Sequence, residues 1–229
     1  MDSISAFHIL LKLGQKEHMD ALYNKGEIYM QTAFFFRNLE ERDDGRADKN
    51  ECLSEYYSAN SLNKYKFILK HPLLPEIELS KEGGTSFIAI DDNYSDKTNI
   101  YSLSYTNFNI IKLKNSIIDE ANFAEGKDYA VLIHNPKEFV RRILKEIKKT
   151  TPFVEANKVE YIDECNFGGE VGFFRKLRKY EYQSEYRIVA RFNDSDVRTF
   201  HIGSISDIAF PPISKEDFLK IKINIKQNG

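Results

Sequence analysis

The sequence predicts an α+β fold built on antiparallel sheets, and three observations lead to that prediction. First, about nine short β-like segments and a few helical ones follow one another without the strict alternation of a parallel α/β fold. Second, 229 residues with 41% hydrophobic and 30% charged side chains are enough for one sizeable core. Third, we find no internal repeat or low-complexity tract. We therefore expect a single domain spanning residues 1–229.

The first predicted unit is a strand, a helix and a second strand. Residues 7–13 form a short apolar run that ends at Gly14, as a buried strand would. Residues 16–25 carry apolar side chains at helical spacing and stop at Gly26, which suits the left-handed position after a helix. Residues 27–36 are typical of a second buried strand that runs into a turn.

The rest of the chain predicts a loop, two further helices and a series of strands. Residues 38–55 are mostly charged or polar and indicate the loop. A helix is predicted at residues 136–149, because Asn135 can cap it and Glu138 can close a capping box. Its apolar stripe opposes a basic face, and Ser214 begins a second capped helix. The predicted strands are residues 64–70, 86–91, 99–106, 129–135, 157–163, 184–192, 197–202 and 207–210.

Charge does not point to a nucleic-acid partner for the chain as a whole. Thirty-three basic and 35 acidic residues give a formal charge of −2, so no global field attracts a polyanion. Residues 141–149 and 175–179 are nevertheless locally basic. They would form a polyanion-binding patch if they met in space, or they are simply solvated surfaces that need no ligand. The sequence leaves both interpretations open.

Several classes of protein are disfavoured by missing patterns. The first residues do not resemble a signal peptide and no apolar stretch is long enough to cross a bilayer, so we expect a cytoplasmic protein without a membrane partner. The chain lacks a phosphate-binding loop, a Gly-x-Ser-x-Gly motif and the dinucleotide glycine fingerprint. Its five histidines lack the spacing of a helical metal site, so no metal is expected.

One predicted strand carries a row of polar side chains. Gln183, Glu185 and Arg187 alternate with Tyr186 and Ile188, so the period of two places the polar three on one face. A solvated strand face would explain this row without any function. A catalytic carboxylate on a strand would produce the same pattern.

The pattern Gln-x-Glu on a strand, after a basic and aromatic loop, resembles the third motif of ADP-ribosyltransferases. The wider chain is similar to a bacterial family found in defence loci, and within it to CmdT-like toxins of tripartite toxin, antitoxin and chaperone systems against phage. The segments that carry the resemblance are residues 8–12, 26–37, 173–176 and 183–188.

The resemblance implies an ADP-ribosyltransferase-like split of two mainly antiparallel sheets with flanking helices. It also implies NAD as the substrate, an RNA acceptor and an antitoxin partner. Glu185 would be the catalytic residue, because a carboxylate below the ribose stabilises the oxocarbenium-like charge that forms when nicotinamide leaves. Gln183 would help to choose the acceptor.

The resemblance also implies a set of cofactor-binding residues. His8 matches a position that holds the NAD ribose or phosphate, and Tyr29, Gln31 and Thr32 match a segment that braces the nicotinamide end. Arg37 is a candidate phosphate contact. His8 and Tyr29 would equally suit core positions, since a histidine or tyrosine inside an apolar strand is commonly a hydrogen-bonded core residue.

Two rivals from other classes remain. A non-catalytic module on the same scaffold would bind RNA or a nucleotide through the basic residues of 136–149 and 175–179. A metal-dependent nuclease would have carboxylates to draw on, although the chain shows no spaced motif for one. Of the three hypotheses, the transferase alone requires Glu185 specifically.

Overall fold

The structure, a computed structural model, describes residues 9–38, 52–78, 87–90, 95–106 and 127–221. Within these ranges the chain is mixed α+β with mostly antiparallel sheets, as the sequence predicted. The strands are β1 (Ile9–Gly14), β2 (Glu27–Thr32), β3 (Glu55–Ser58), β4 (Ile68–His71), β5 (Leu74–Glu78), β6 (Phe87–Ile90), β7 (Thr98–Thr106), β8 (Tyr129–Ile133), β9 (Val154–Lys158), β10 (Glu160–Ile162), β11 (Gly168–Glu170), β12 (Arg175–Leu177), β13 (Glu185–Arg191), β14 (Arg198–His201) and β15 (Ile213–Ser214).

The helices are fewer and mostly short. They are α1 (Lys16–Lys25), α2 (Ala33–Asn38), α3 (Ala59–Leu62), α4 (Pro136–Ile147) and α5 (Lys215–Phe218), with 3-10 helices at Ser95–Lys97 and Arg178–Gln183. No helix in the part of the chain that the structure describes is long and apolar enough to cross a membrane.

An eight-stranded antiparallel sheet forms the centre of the structure. Its main path runs β14-β2-β7-β1-β8-β15, and β13 joins β7 with β9 beyond it. One edge of β7 pairs with β13 from residue 98 to residue 104. The other edge pairs with β2 at Asn99 and Ile100 and with β1 from Ser104 onward. Between these two pairings β1 and β2 separate, and we call the gap at residues 101–103 the sheet fork.

The larger core lies on one face of this sheet. It joins Met19 and Leu22 of α1, Tyr186 and Ile188 of β13, and the apolar side of α4. Burial of this many apolar side chains, each contributing about 1.5–3 kcal/mol, holds both helices to the sheet. Packing on α4 comes from Phe139, Val140, Ile143 and Ile147.

The opposite face of the sheet is covered by smaller groups. Over β7 and β13, Ile100 and Val189 pack with Ala33 and Cys52, against Phe36, Phe173 and Phe174. Over β1 and β8 the cover is Phe218 of α5. Smaller sheets lie outside the central one: β11-β3-β6, the parallel pair β10-β12 and the hairpin β4-β5.

The helices predicted from local signals are confirmed. Helix α1 ends at Gly26, whose φ of 61° is the left-handed conformation that glycine allows at low cost. Helix α4 is capped by Asn135, whose side chain accepts a hydrogen bond from the Glu138 backbone. The predicted capping box is wrong, because the Asn135 N–H donates to the Ile208 carbonyl and the Glu138 carboxylate binds arginines instead.

Two strand predictions differ from the structure. Residues 27–36 were predicted as a strand that runs into a turn: β2 confirms the strand, but it ends at Thr32, whose hydroxyl accepts the Phe35 N–H and starts helix α2 within the aromatic run. Residues 207–210 form a turn with a single bridge between Ile133 and Ala209. The segment predicted at 157–163 is divided between β9, which pairs with β13, and β10, which pairs with β12.

Candidate functional site

Glu185 is the first residue of β13 and lies across β7 from the sheet fork. Only 6% of it is exposed. Its Oε1 accepts hydrogen bonds from the Ser102 hydroxyl at 2.5 Å and from Arg187 Nε at 2.7 Å. Its Oε2 accepts from Arg187 Nη2 at 3.2 Å and from Lys176 Nζ at 3.3 Å. The carboxylate is therefore buried, ionised and bonded on both oxygens, and we call these four side chains the Glu185 cluster.

The backbone around Glu185 explains why its side chain points this way. Ser184, just before β13, has a φ of 44°, so the chain turns in a left-handed conformation before the strand begins. The Glu185 N–H then donates to the Tyr161 hydroxyl at 2.8 Å. The register opposes Glu185 to Ser104 and Arg187 to Ser102, so these four side chains share a face of the sheet.

Arg187 connects the cluster to the chain that covers it. It is 1% exposed, and its Nη1 donates to the Phe173 carbonyl at 2.7 Å and lies 4.0 Å from the Cys52 sulfur. A planar guanidinium can serve a carboxylate and a carbonyl at once because its donors are fixed in a fork. Arg187 therefore ties Glu185 to the segment before β12.

Lys176 brings Gln183 to the same cluster. Its ammonium donates to Gln183 Oε1 at 3.0 Å as well as to Glu185, and it lies 4.8 Å from the centre of the Tyr180 ring. Gln183 itself ends a 3-10 helix rather than standing on β13. The sequence thus placed Gln183 on the wrong element, yet the fold brings its side chain to the partners of Glu185.

The charges of the cluster fix the protonation state of Glu185. Burial alone would raise the pKa of Glu185, but Arg187 and Lys176 oppose it, and hydrogen bonds from Arg187 and Ser102 add to their effect. The net result holds the pKa of Glu185 well below its usual range. Such a carboxylate stabilises positive charge or accepts a hydroxyl hydrogen bond, but it cannot serve as a general acid near neutral pH.

The polar row predicted on β13 is real but not solvated. Glu185 and Arg187 do lie on one face, whereas Tyr186 and Ile188 belong to the larger core on the other. The interpretation as a solvated Glu and Arg row is wrong, since both side chains are buried. Within the cluster, the Glu185 carboxylate binds two cations, Arg187 and Lys176.

Tyr29 and Gln31 lie on β2, across β7 from Glu185, and on the same face of the sheet. Gln31 opposes Ile100, and the side chains of opposed residues and of alternate residues on a strand share a face. Tyr29, two residues earlier, has left β7 and pairs with Thr199 of β14. The Tyr29 side chain is 55% exposed, so the alternative interpretation of Tyr29 as a buried core residue is wrong.

The other predicted cofactor residues have visible structural partners. The Gln31 side chain accepts the Thr32 N–H, and the Thr32 hydroxyl caps α2. Arg37 donates to the Cys52 carbonyl at 3.0 Å and to the Ser95 hydroxyl at 3.5 Å, which ties α2 to its neighbours. His8 and the charged part of the predicted loop, residues 42–51, lie outside the described residues.

Sequence reasoning missed three members of this site. Lys176 was counted in a solvated basic segment, yet it is 6% exposed. Its position between aromatic residues and Leu177 was the available signal, because such neighbours bury the stem of a lysine. Ser102 and Tyr161 gave no signal of their own, since their roles depend on the pairing of β7 with β13 and of β10 with β12.

The locally basic segments are largely paired with carboxylates. On α4, Arg141 and Arg142 both bind Glu138, and Arg142 also binds Asp207. In the second segment, Arg175 binds Glu160 at 2.8 Å. These pairs neutralise much of the local charge that a polyanion-binding patch would need.

Within the described ranges, no group of three or more His, Cys, Asp or Glu side chains is placed to hold a metal ion. Comparisons with protein-family models, curated proteins and solved structures found no significant match.

Proposed function

We propose that this chain is an NAD-dependent ADP-ribosyltransferase toxin with an RNA acceptor, acting in anti-phage defence and restrained by an antitoxin. Its fold would be the split arrangement of two antiparallel sheets, with the two parts separating at the sheet fork. The observation that carries the proposal is the Glu185 cluster, a buried and ionised carboxylate across β7 from the fork.

The chemistry of the transfer needs such a carboxylate. Breaking the bond between ribose and nicotinamide creates positive charge on the sugar, and a fixed negative charge nearby stabilises that transition state more than the ground state. Glu185 stays ionised at any physiological pH because Arg187 and Lys176 hold its pKa low. The ribose hydroxyl would replace one of its present hydrogen bonds, those from Ser102 or Lys176.

The surroundings of Glu185 suit an anionic dinucleotide. The two cations Lys176 and Arg187 would contact the pyrophosphate of NAD. Tyr29, exposed on the same face across β7 from Glu185, offers an aromatic ring for the nicotinamide. His8, Gln31, Thr32 and Arg37 remain our candidates for other parts of NAD.

The residues on β12 and in the 3-10 helix that follows it suit an RNA acceptor. The Tyr180 ring has the ammonium of Lys176 at 4.8 Å and that of Lys179 at 4.9 Å from its centre. Aromatic rings with adjacent cations stack single-stranded bases and contact phosphates. Gln183, joined to Glu185 through Lys176, would orient the acceptor.

The test is incubation of the purified protein with NAD labelled in its adenylate part and with bacterial RNA. We expect label in RNA and free nicotinamide, and loss of both in Glu185→Gln by a few powers of ten. Glu160→Gln, which alters an exposed carboxylate paired with Arg175, is the matched control and should retain activity. Absence of nicotinamide release from folded wild-type protein freed of any antitoxin would refute the proposal.

Two further measurements separate catalysis from folding. Glu185→Gln removes the buried carboxylate that Arg187 and Lys176 bind, so its thermal unfolding must be measured before its activity is interpreted. Gln183→Ala leaves Glu185, Arg187 and Ser102 in place, and we expect it to lose transfer to RNA while it still releases nicotinamide. Saturating NAD should also stabilise wild-type protein, by about 2.7 kcal/mol at 100 times its Kd.

The non-catalytic binding module remains the second candidate, and one observation favours it. Both oxygens of Glu185 already accept two hydrogen bonds each, which is the arrangement of a structural ion pair. Such a module would bind RNA with a steep dependence on salt and would release no nicotinamide. Neutralising Arg141, Arg142, Arg175 and Lys176 would then abolish binding, whereas Glu185→Gln in folded protein would not.

A further inference from the structure

Lys12 occupies the sheet fork and takes no part in the proposed transfer. Strand β1 pairs with β7 as far as Leu11, and Lys12 is the first residue after that pairing on the way into the fork. Its Nζ donates to the Ser102 carbonyl at 2.7 Å, on the edge of β7 that neither β1 nor β2 covers. It also lies 4.2 Å from the centre of the Tyr101 ring.

The charged and titratable groups that face Lys12 do not include an ion-pair partner. Among the described residues no carboxylate lies within salt-bridge distance of its ammonium. The groups facing it are Tyr101 on β7, Lys127 before β8 and Glu185 on β13. Burial and then Lys127 lower the pKa of Lys12 to about 8, against the opposing attraction of Glu185. A neutral amine is therefore well populated slightly above neutral pH.

Two further features make the position suitable for a small ligand. Lys12 is partly buried, and its ammonium meets β7 at the fork, where within the described residues neither β1 nor β2 pairs with the strand edge. The Tyr101 hydroxyl, on the ring beside Lys12, is buried and has no hydrogen-bond partner within the described ranges. A polar ligand atom that reached that hydroxyl would satisfy it, and a buried hydroxyl without a partner is costly.

We propose that Lys12 is a covalent modification site, where its amine condenses with the carbonyl of a small aldehyde or ketone that bears an anionic group. The nitrogen lone pair attacks the carbonyl carbon, a C=N bond forms, and the carbonyl oxygen leaves as water with the two amine protons. No oxidant or reductant is needed. Lys127 attracts the anionic group, and the hydrogen bond to the Ser102 carbonyl holds the nitrogen in place.

The probe is pyridoxal 5′-phosphate, an aldehyde with a phosphate group, added in small excess at pH 8. Borohydride then reduces the imine, and peptide mapping by mass spectrometry locates the adduct. We expect Lys12 to be labelled at least about 10-fold more than an ordinary exposed lysine, because a pKa near 8 raises its neutral fraction. Labelling should increase with pH, with a midpoint near 8.

The controls separate this site from general lysine reactivity. Lys16→Arg changes an exposed lysine bound to Asp20 and should leave the label on Lys12 unchanged. Lys12→Arg keeps the charge and the donor to Ser102 and should remove the preferred adduct. Pyridoxal without its phosphate should react several-fold more slowly. Label spread over the exposed lysines of wild-type protein, with Lys12 at or below their level, would overturn the proposal, and this result does not depend on whether any variant folds.

Discussion

Glu138 and Glu185 are two carboxylates that each meet two cationic side chains, in opposite surroundings. Glu138, on the surface of α4, binds Arg141 Nε at 2.6 Å and Arg142 Nε at 2.9 Å. Glu185 binds Arg187 and Lys176 inside the protein. The hydrogen bonds from Arg141 and Arg142 lower the pKa of Glu138 to about 2, and the pKa of Glu185 is also low.

The difference between them lies in what happens when a partner is lost. At the surface, a side chain that loses its partner turns to water, so exposed ion pairs contribute little to stability. Inside, the remaining charge has no water to replace its partner, so removal of one member is costly. The same set of charges is therefore dispensable at Glu138 and essential at Glu185.

The largest expected effect comes from neutralising the buried carboxylate. Glu185→Gln should lower the free energy of unfolding by about 3–5 kcal/mol, because Arg187 and Lys176 stay buried and lose the carboxylate that both bind. Urea unfolding measures the loss, and Glu138→Gln is the matched control with a much smaller effect. Equal losses in the two variants would show that burial does not distinguish the clusters.

Lys12 gives the next largest effect, and the effect depends on pH. Its folded pKa of about 8 lies below the ordinary lysine pKa of 10.5, so the unfolded chain binds more protons between these values. Stability contributed by this residue therefore increases as pH rises from about 8 to 10.5, by roughly 2–3 kcal/mol.

The comparison of wild type with Lys12→Met isolates this contribution. Burial raises the pKa of Tyr101 and Tyr161, which lowers stability in the same alkaline range, but both tyrosines are present in the two proteins. The difference in unfolding free energy should move in favour of wild type as pH rises. A difference that stays constant from pH 7 to 10.5 would mean that Lys12 titrates normally.

Parts of this fold could be predicted because their signals are local. Gly26 ends α1, and Asn135 and Pro136 start α4, where neighbours in sequence decide the structure. Helix α2 was missed because three phenylalanines in a row look like a strand, whereas one hydroxyl on Thr32 caps a helix there. The parallel pairing of β10 with β12 leaves no local signal, since it depends on chain segments distant in sequence.

The candidate site was predictable in the same uneven way. The period of two placed Glu185 and Arg187 on one face, and this is confirmed. Their burial could not be read from that period, because the cover comes from Phe173, in the turn before β12, and from Lys176, on β12 itself. The prediction that the Glu and Arg row is solvated failed for this reason.

Substitution of Lys176 tests whether the second cation of the Glu185 cluster contributes to stability. Lys176→Met should lower the free energy of unfolding by about 2 kcal/mol, since a hydrogen bond to a buried charge is lost while Glu185 keeps Arg187. Lys179→Met is the matched control, because both ammonium groups lie near the Tyr180 ring at similar distances. Similar losses in the two variants would assign the effect to Tyr180 rather than to Glu185.

The smallest expected effect concerns Glu138, the surface carboxylate of the two, and acid titration measures it. Its carboxyl carbon, followed by NMR, should titrate with a midpoint of about 2, and Arg141→Ala should move that midpoint upward. Because the folded pKa is lowered, any stability from Glu138 is present above its unfolded pKa of about 4.3 and is lost as pH falls toward 2. Over the same range Glu185 should keep its charge as long as the protein stays folded, because the cluster holds its pKa low. A Glu185 signal that titrates in folded protein before that of Glu138 would contradict the ion pairing on which the comparison depends.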